Sequence, residues 1–166
     1  MKKREFIKYG GLIAGAMISG NLQAAVNNTM KKSYEAGRKG SSLKLKFRPY
    51  DLQLKHVFTI ATNSRTTTPV VLTEIEYDGF KGYGEASMPP YLGESIETAS
   101  AFLNKIDLSG FHNPFELEKI LAYVVSTDHN NIAAKASVDI ALHDLTGKLL
   151  DKPWYDLWGF DKEKTP

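Results

Sequence analysis

The chain has 166 residues, of which 42% are hydrophobic and 24% charged, so it has room for one globular domain of ordinary size and little more. It contains no cysteine, which excludes disulfides, thiolate metal sites and a thiol nucleophile. The formal net charge is only +2 and no stretch reaches the roughly 20 apolar residues of a membrane span, so the sequence predicts neither nucleic-acid binding nor a membrane span.

Residues 1–24 have the pattern of an export signal. A positive start at residues 2–4 is followed by a short apolar stretch rich in Gly and Ala at residues 9–18, and residues 22–24 form a cleavage site that ends in a small side chain. Residues 3–8 resemble a twin-arginine signal in which lysine replaces the first arginine; an amphipathic N-terminal helix is the alternative. The signal predicts a periplasmic protein, exported to the bacterial cell envelope.

After a polar stretch at residues 25–42 that predicts a linker, the sequence alternates apolar and other side chains with the period of a β-strand. The predicted strands are residues 43–47 and 51–58, separated by Pro49, then residues 70–77 and 80–85, the last weakened by Gly82 and Gly84. Asp78-Gly79 lies between the last two strands and is a strong signal for a hairpin turn. These features predict an antiparallel meander of about three strands.

Two loops carry candidate binding residues. The first, residues 60–68, is polar and longer than a tight hairpin needs, and its one charged side chain, Arg65, has a planar guanidinium suited to bidentate recognition of a carboxylate. In the second loop, residues 84–95, we expect Glu85 to close a structural hydrogen bond or ion pair. The further candidates in this loop are Met88, Pro90 and Tyr91. A solvated arginine and ordinary core packing are the alternative explanations.

The second half of the chain predicts about three helices. They are residues 95–106, residues 114–125 and a helix that begins at Asn130 or Asn131. Ser95 is a good N-cap, and Pro114 is suited to the first position of a helix. Strands followed by helices predict an α+β domain over residues 43–159.

The run from Ala133 to Gly159 has the features of a joint between two structural units. It is rich in alanine at its start, so that a neighbouring element can approach its backbone, and it ends in an aromatic tail that contains Trp154 and Trp158. The residues spaced to share one apolar face of its helix are Ile132, Ala136, Ile140 and Leu145.

Several positions of this run follow a long, regularly spaced signature: Ala133, Ala136, Asp139, Ala141, Asp144, Gly147, Lys148, Pro153, Leu157 and Gly159. The signature resembles the domain junction of the enolase superfamily, in its muconate-cycloisomerase-like and mandelate-racemase-like branches. The motif at residues 84–95 is similar to that of the dipeptide epimerases in the first branch. The resemblance covers about residues 43–159 and implies the N-terminal capping domain of that superfamily, with residues 160–166 at the start of a (β/α) barrel.

In that superfamily the barrel supplies an acid, a base and the ligands of Mg²⁺, and the enzyme removes the proton α to a carboxylate. The resemblance therefore implies the N-terminal part of a Mg²⁺-dependent isomerase, with no catalytic or metal-binding residue within residues 1–166 and with the protein's own barrel as a partner. It favours a dipeptide epimerase that inverts the C-terminal residue of small acidic dipeptides such as Ala-Glu. It is compatible with a homo-oligomer.

By the same resemblance, Arg65 is expected to bind the glutamate side chain of the substrate. The residues expected to lie near the substrate are Met88, Pro90 and Tyr91. An o-succinylbenzoate synthase or muconate cycloisomerase of the same branch is the alternative enzyme. A noncatalytic peptide-binding or interaction module is the alternative of a different class.

Two charged patterns in the chain resemble catalytic sites, and we interpret both as structural. Lys44-x-Lys46 has the spacing of the superfamily's acid–base pair, but it falls in the first predicted strand and forms the solvated face of that strand. Asp139 and His143 are four residues apart on a helix and can pair with one another. The counterpart of Asp144 in the superfamily is structural, so we expect these three residues to hold the joint.

Overall fold

The computed structural model of the protein describes residues 41–61, 63–88 and 93–160. Three antiparallel strands, β1 (Lys44–Ile60), β2 (Asn63–Tyr77) and β3 (Phe80–Ser87), form one sheet in that order. Four helices follow: α1 (Ile96–Leu103), α2 (Leu117–Ser126), α3 (Ile132–Leu150) and the single turn α4 (Trp154–Leu157). The predicted meander and α+β class are confirmed. The predicted export signal, nearly all of the predicted linker and residues 161–166 lie outside the described residues.

The hairpin formed by β1 and β2 is longer than predicted. Its pairing runs from Lys44 opposite Glu76 to Ile60 opposite Asn63, with a register shift between Gln53 and Phe58. The predicted break at Pro49 is wrong, because β1 is an edge strand and an edge position tolerates a residue without an N–H group. The predicted loop at residues 60–68 is also wrong, since most of these residues belong to the paired strands.

The two glycines of β3 bring this strand into direct contact with the backbone of α3. A Cβ atom at Gly82 would lie 2.0 Å from the carbonyl oxygen of Ala141, and one at Gly84 would lie 1.9 Å from that of Ser137. No side chain fits in either space, so glycine at these positions is required by the close approach. A close approach to the backbone of this helix is predicted, and the structure places it at Ser137 and Ala141 rather than in the alanine-rich first turns. The glycines that weaken β3 as a strand allow this approach.

The apolar face predicted for α3 is only partly correct. Leu145 is buried, but Ile132 is 63% exposed and Ile140 is 52% exposed. The buried side of the helix combines two leucines, Leu142 and Leu145, with smaller residues, which are Ala133, Ala134, Ser137, Val138, Ala141, Thr146 and Gly147. Large β-branched side chains would hold α3 away from β3, so the isoleucines lie on the other side of the helix.

Helices α1 and α2 complete the core around α3 and the sheet. Their buried apolar side chains are Ala99, Phe102, Leu103, Ile120 and Val124. The start of α1 is as predicted, since Ser95 and Thr98 form a reciprocal capping box. Helix α2 begins at Leu117 rather than at Pro114, because the Asn113 side chain accepts a hydrogen bond from the N–H of Phe115 and forms a turn first. Among the described helices, none is both long and apolar enough to cross a membrane.

Asp128 stabilises the loop between α2 and α3 by a hydrogen bond and an ion pair. One oxygen of its carboxylate accepts a hydrogen bond from the N–H of Asn130 at 3.0 Å, and the other lies 3.1 Å from the Lys105 ammonium group. The hydrogen bond from Asn130, followed by that from Lys105, lowers the pKa of Asp128 below its ordinary value of 3.8. The ionised carboxylate therefore stabilises the folded state.

We expect Gly84→Ala to lower the free energy of unfolding by at least about 3 kcal/mol, because the added methyl group would overlap a backbone carbonyl that cannot move without shifting α3. Urea denaturation measures the loss. Gly110→Ala is the matched control, since nothing lies within 4 Å of a Cβ atom there, and it should change stability by less than about 0.5 kcal/mol. Equal stabilities of the two variants would show that β3 and α3 are not in close contact.

We expect Asp128→Asn to reduce the loss of stability at acid pH. The folded-state pKa of Asp128 lies below the unfolded one, so its contribution is fully present above pH 3.8 and disappears as the pH falls through the lowered folded-state value. Urea denaturation at about pH 6 and about pH 2 should therefore show a smaller difference in the variant than in the wild type. An unchanged difference would contradict the role of this carboxylate.

Candidate functional site

The distal half of the β1–β2 hairpin, residues 48–69, forms an arm that the rest of the described chain leaves largely uncovered. On β1 every arm residue except Leu54 is exposed. The exposed apolar side chains are Tyr50, Leu52, Val57, Phe58 and Ile60. A two-stranded ribbon with exposed apolar side chains is marginally stable by itself in water, so this arm is suited to contact another surface.

Arg65 lies on β2 near the tip of the arm, directly opposite Phe58. Its guanidinium carbon is 5.1 Å from the centre of the Phe58 ring, a cation–π contact. Its Nε atom is buried without a hydrogen-bond partner, and Arg65 forms no ion pair with any other described residue. The arm carries three lysine or arginine side chains and one acidic side chain, so it presents a net positive charge.

The second predicted substrate segment leaves the sheet at the end of β3. Met88 is only 6% exposed and packs in the core of the described residues. Its predicted position near the substrate is not tested by this and stays a prediction. Pro90 and Tyr91 lie outside the described residues, and their predicted roles are likewise untested.

The end of this segment is held by Glu94, which the sequence analysis did not identify. One carboxylate oxygen of Glu94 accepts a hydrogen bond from the N–H of Ile132 at 2.6 Å, and the other accepts one from the N–H of Ala133 at 3.0 Å. The N-cap residue of α3, Asn131, is in the left-handed region with φ 63° and makes no capping hydrogen bond with its side chain. Glu94 therefore satisfies two N–H groups that have no partner within the helix and neutralises the positive end of its dipole.

Glu94 takes the structural role that the sequence analysis expected of Glu85. The Glu85 side chain is exposed and makes no ion pair with a described residue. Glu94 belongs to the motif that carries the family resemblance, but its partners lie 38 and 39 residues away, so local spacing does not reveal the contact.

Asp144 and Lys148 hold the open edge of β3 against α3. The Asp144 carboxylate accepts a hydrogen bond from the N–H of Tyr83 at 2.8 Å and one from Lys148 at 2.6 Å. Lys148 also donates to the carbonyl of Lys81 at 2.9 Å. These contacts satisfy backbone groups that an edge strand would otherwise leave unpaired. The predicted structural role of Asp144 is confirmed.

His143 anchors the aromatic tail on α3. Its Nδ1 atom lies 2.7 Å from the Asp139 carboxylate, as predicted, and its ring meets the edge of Trp154 with 4.4 Å between centres. The indole N–H of Trp154 donates to the carbonyl of His143, and Gly147 leaves room for this ring, since a Cβ atom there would lie 3.3 Å from it. Trp158 remains 60% exposed, so the tail is only partly buried by the described residues.

An open groove of about 370 Å³ lies between the end of α3 and α4. Its lining residues are Asp144, Gly147, Lys148, Asp151, Lys152, Pro153 and Trp154. Two of its charged residues, Asp144 and Lys148, pair with each other. Within the described part of the chain, no cluster of three or more His, Asp and Glu side chains could hold a metal ion.

Comparisons with known proteins agree with this architecture. The family model described as mandelate racemase / muconate lactonizing enzyme, N-terminal domain, matches residues 45–159. An L-Ala-D/L-Glu epimerase of Bacteroides thetaiotaomicron is 62% identical over 127 residues, which are 76% of this chain and 33% of that protein. An L-Ala-D/L-amino acid epimerase of Maribacter sp. is 33% identical over 128 residues, 75% of this chain and 37% of that protein.

Among solved structures, a dipeptide epimerase from Enterococcus faecalis V583, complexed with Mg and the dipeptide L-Leu-L-Tyr, is similar to this chain with a TM-score of 0.61 and 32% identity. The match covers 70% of this chain and 34% of that one. The chain thus spans about one third of the length of the relatives it matches. The resemblance to the capping domain of the enolase superfamily is confirmed.

We expect Glu94→Ala to lower the free energy of unfolding by about 1–2 kcal/mol, because it removes a cap and a favourable charge from the start of α3. Urea denaturation measures the change. Glu85→Ala removes an exposed carboxylate from the same segment and serves as the control, with an expected change below about 0.5 kcal/mol. The capping role would be excluded by equal stabilities of the two variants.

Proposed function

Since the chain belongs to the mandelate racemase / muconate lactonizing enzyme family through its N-terminal domain, we propose that it is the substrate-facing domain of a dipeptide epimerase. The full-length protein would invert the C-terminal residue of dipeptides similar to L-Ala-Glu by removing the proton α to the carboxylate. The observation that carries this proposal is the 62% identity, over 127 residues, to a protein named L-Ala-D/L-Glu epimerase.

Arg65 would select the acidic side chain of the substrate. It is half-buried on an uncovered arm, its guanidinium carbon lies 5.1 Å from the centre of an aromatic ring, and it forms no ion pair with a described residue. A planar guanidinium with free donors matches a carboxylate by two parallel hydrogen bonds. A neutral dipeptide would leave those donors unpaired, so Arg65 would favour glutamate over residues of similar shape without charge.

The described residues would bind and orient the substrate, while the chemistry would be supplied elsewhere in the protein. We propose Mg²⁺ as the cofactor, with its ligands, the acid and the base outside residues 1–166. The exposed arm and the partly exposed tail around Trp158 are suited to contact the domain that holds them.

We also propose that the protein acts in the periplasm. The support is the pattern of residues 1–24, with its positive start, short apolar stretch and small residue at the cleavage site. Small dipeptides that contain glutamate arise when cell-wall peptides are degraded, so this location would suit the proposed substrate.

We expect Arg65→Ala in the full-length enzyme to lower kcat/KM for L-Ala-L-Glu by at least about 10- to 100-fold, because the loss of even one charge-assisted hydrogen bond removes on the order of 1.5–3 kcal/mol. Turnover of L-Ala-L-Gln, which has nearly the same shape without the charge, should fall less, because its side-chain amide offers the guanidinium one neutral acceptor oxygen in place of two charged ones. Epimerisation is followed by chiral separation of the products. Arg48→Ala, which removes another arm arginine, is the control.

Three results would contradict the proposal. Equal losses of kcat/KM for both dipeptides would show that Arg65 does not distinguish substrates by the charge of their side chain. A wild-type enzyme that epimerises no dipeptide, but forms o-succinylbenzoate or a muconolactone from its precursor, would replace the epimerase with the alternative enzyme of the same branch. An absence of turnover with every substrate would favour a noncatalytic binding module.

A further inference from the structure

The register of the β1–β2 hairpin changes just before Arg65 is reached, and the change alters which side chain lies opposite this arginine. Up to Gln53, which pairs with Thr67, the strands follow one register. Continuing that register would place Lys55 opposite Arg65. The shift between Gln53 and Phe58 removes this pairing and places Phe58 there instead.

The two alternatives differ physically. Two cations directly opposite each other on paired strands repel, which would turn the Arg65 side chain away from its neighbour. An aromatic ring attracts the guanidinium to its face, and here the two are 5.1 Å apart. The bulge therefore exchanges a repulsive cross-strand pair for an attractive one at the position of the candidate substrate-binding arginine.

The cation–π contact with Phe58 restricts the position of the Arg65 guanidinium without using any of its N–H donors. Arg65 also forms no ion pair with any described residue. Its Nε atom is buried, so the two terminal nitrogens of the guanidinium are the ones that would bind a carboxylate. A long side chain that is already held in place loses less conformational freedom when a ligand binds, so its affinity for the ligand is higher.

We propose that Phe58 is a positioning residue that holds the Arg65 guanidinium ready for the side-chain carboxylate of the substrate. This inference rests on the proposed function. Phe58 acts through Arg65, so its effect is confined to substrates that Arg65 distinguishes.

The arm contains a matched control. The guanidinium of Arg48 lies over the ring of Tyr50, also at 5.1 Å, but this pair lies closer to the base of the hairpin and does not include Arg65. Tyr50→Leu and Phe58→Leu therefore remove the same kind of contact at the same distance from the same hairpin. Only the second should alter recognition of an acidic substrate.

The test uses the full-length enzyme, with kcat and KM measured separately for L-Ala-L-Glu and L-Ala-L-Gln. Phe58→Leu should raise KM for L-Ala-L-Glu about 3- to 10-fold and leave kcat and the KM for L-Ala-L-Gln within about 2-fold, the size expected for loss of one cation–π contact. Phe58→Tyr, which keeps the ring, should restore the wild-type KM. Tyr50→Leu should leave both values unchanged.

The double variant Phe58→Leu/Arg65→Ala should have the same KM and kcat for L-Ala-L-Glu as Arg65→Ala alone, because the ring acts only through the arginine. If Arg65→Ala lowers the preference for L-Ala-L-Glu but Phe58→Leu does not, the role of Phe58 is wrong and the proposed function stands. If Arg65→Ala has no effect on that preference, the proposed function of Arg65 is wrong, and the role of Phe58 that depends on it is wrong as well. Equal rises of KM for both dipeptides in Phe58→Leu would show a general structural role and would overturn the inference.

If Phe58→Leu does not fold, Phe58→Met keeps the apolar volume without the ring, and the same changes in KM are expected for it.

Discussion

The contact between β3 and α3 is the constraint on which the rest of the domain depends. Because Gly82 and Gly84 lack side chains, the backbone of the strand reaches the carbonyls of Ser137 and Ala141, and the small residues of α3 face the sheet. The same contact brings Asp144 within hydrogen-bond distance of Tyr83 at the edge of the sheet. Sheet and joint helix are therefore fixed to each other at backbone distance, with little freedom to slide.

This rigid pair positions both segments that we propose to face the substrate. The arm is a direct extension of β1 and β2, so its direction follows from the sheet. The segment after β3 is held where it begins by the burial of Met88 and where it ends by Glu94, whose carboxylate lies at the start of α3. Arg65 thus lies on a sheet whose position is set by its contact with α3, the helix that leads into the joint.

Much of the fold could be predicted because its signals are local. The turn at Asp78-Gly79 and the Ser95 cap each depend on a few neighbouring residues, and the junction signature lies in one continuous run of the sequence. The buried side of α3 could not be read from periodicity, since its isoleucines form a more hydrophobic stripe than the alanines that face β3. The extent of the hairpin was hidden by the register shift, which breaks the alternation of side chains. The Glu94 contact was hidden because its partners are far along the chain.

The central claim is that Arg65 recognises the side-chain carboxylate of an acidic dipeptide. A crystal structure of the full-length protein with bound L-Ala-L-Glu tests it most directly, through the distances from the Arg65 guanidinium nitrogens to that carboxylate. We expect two parallel hydrogen bonds of about 2.7–2.9 Å, with the guanidinium still in contact with the Phe58 ring. A glutamate side chain bound by another cation, with Arg65 pointing into solvent, would contradict it.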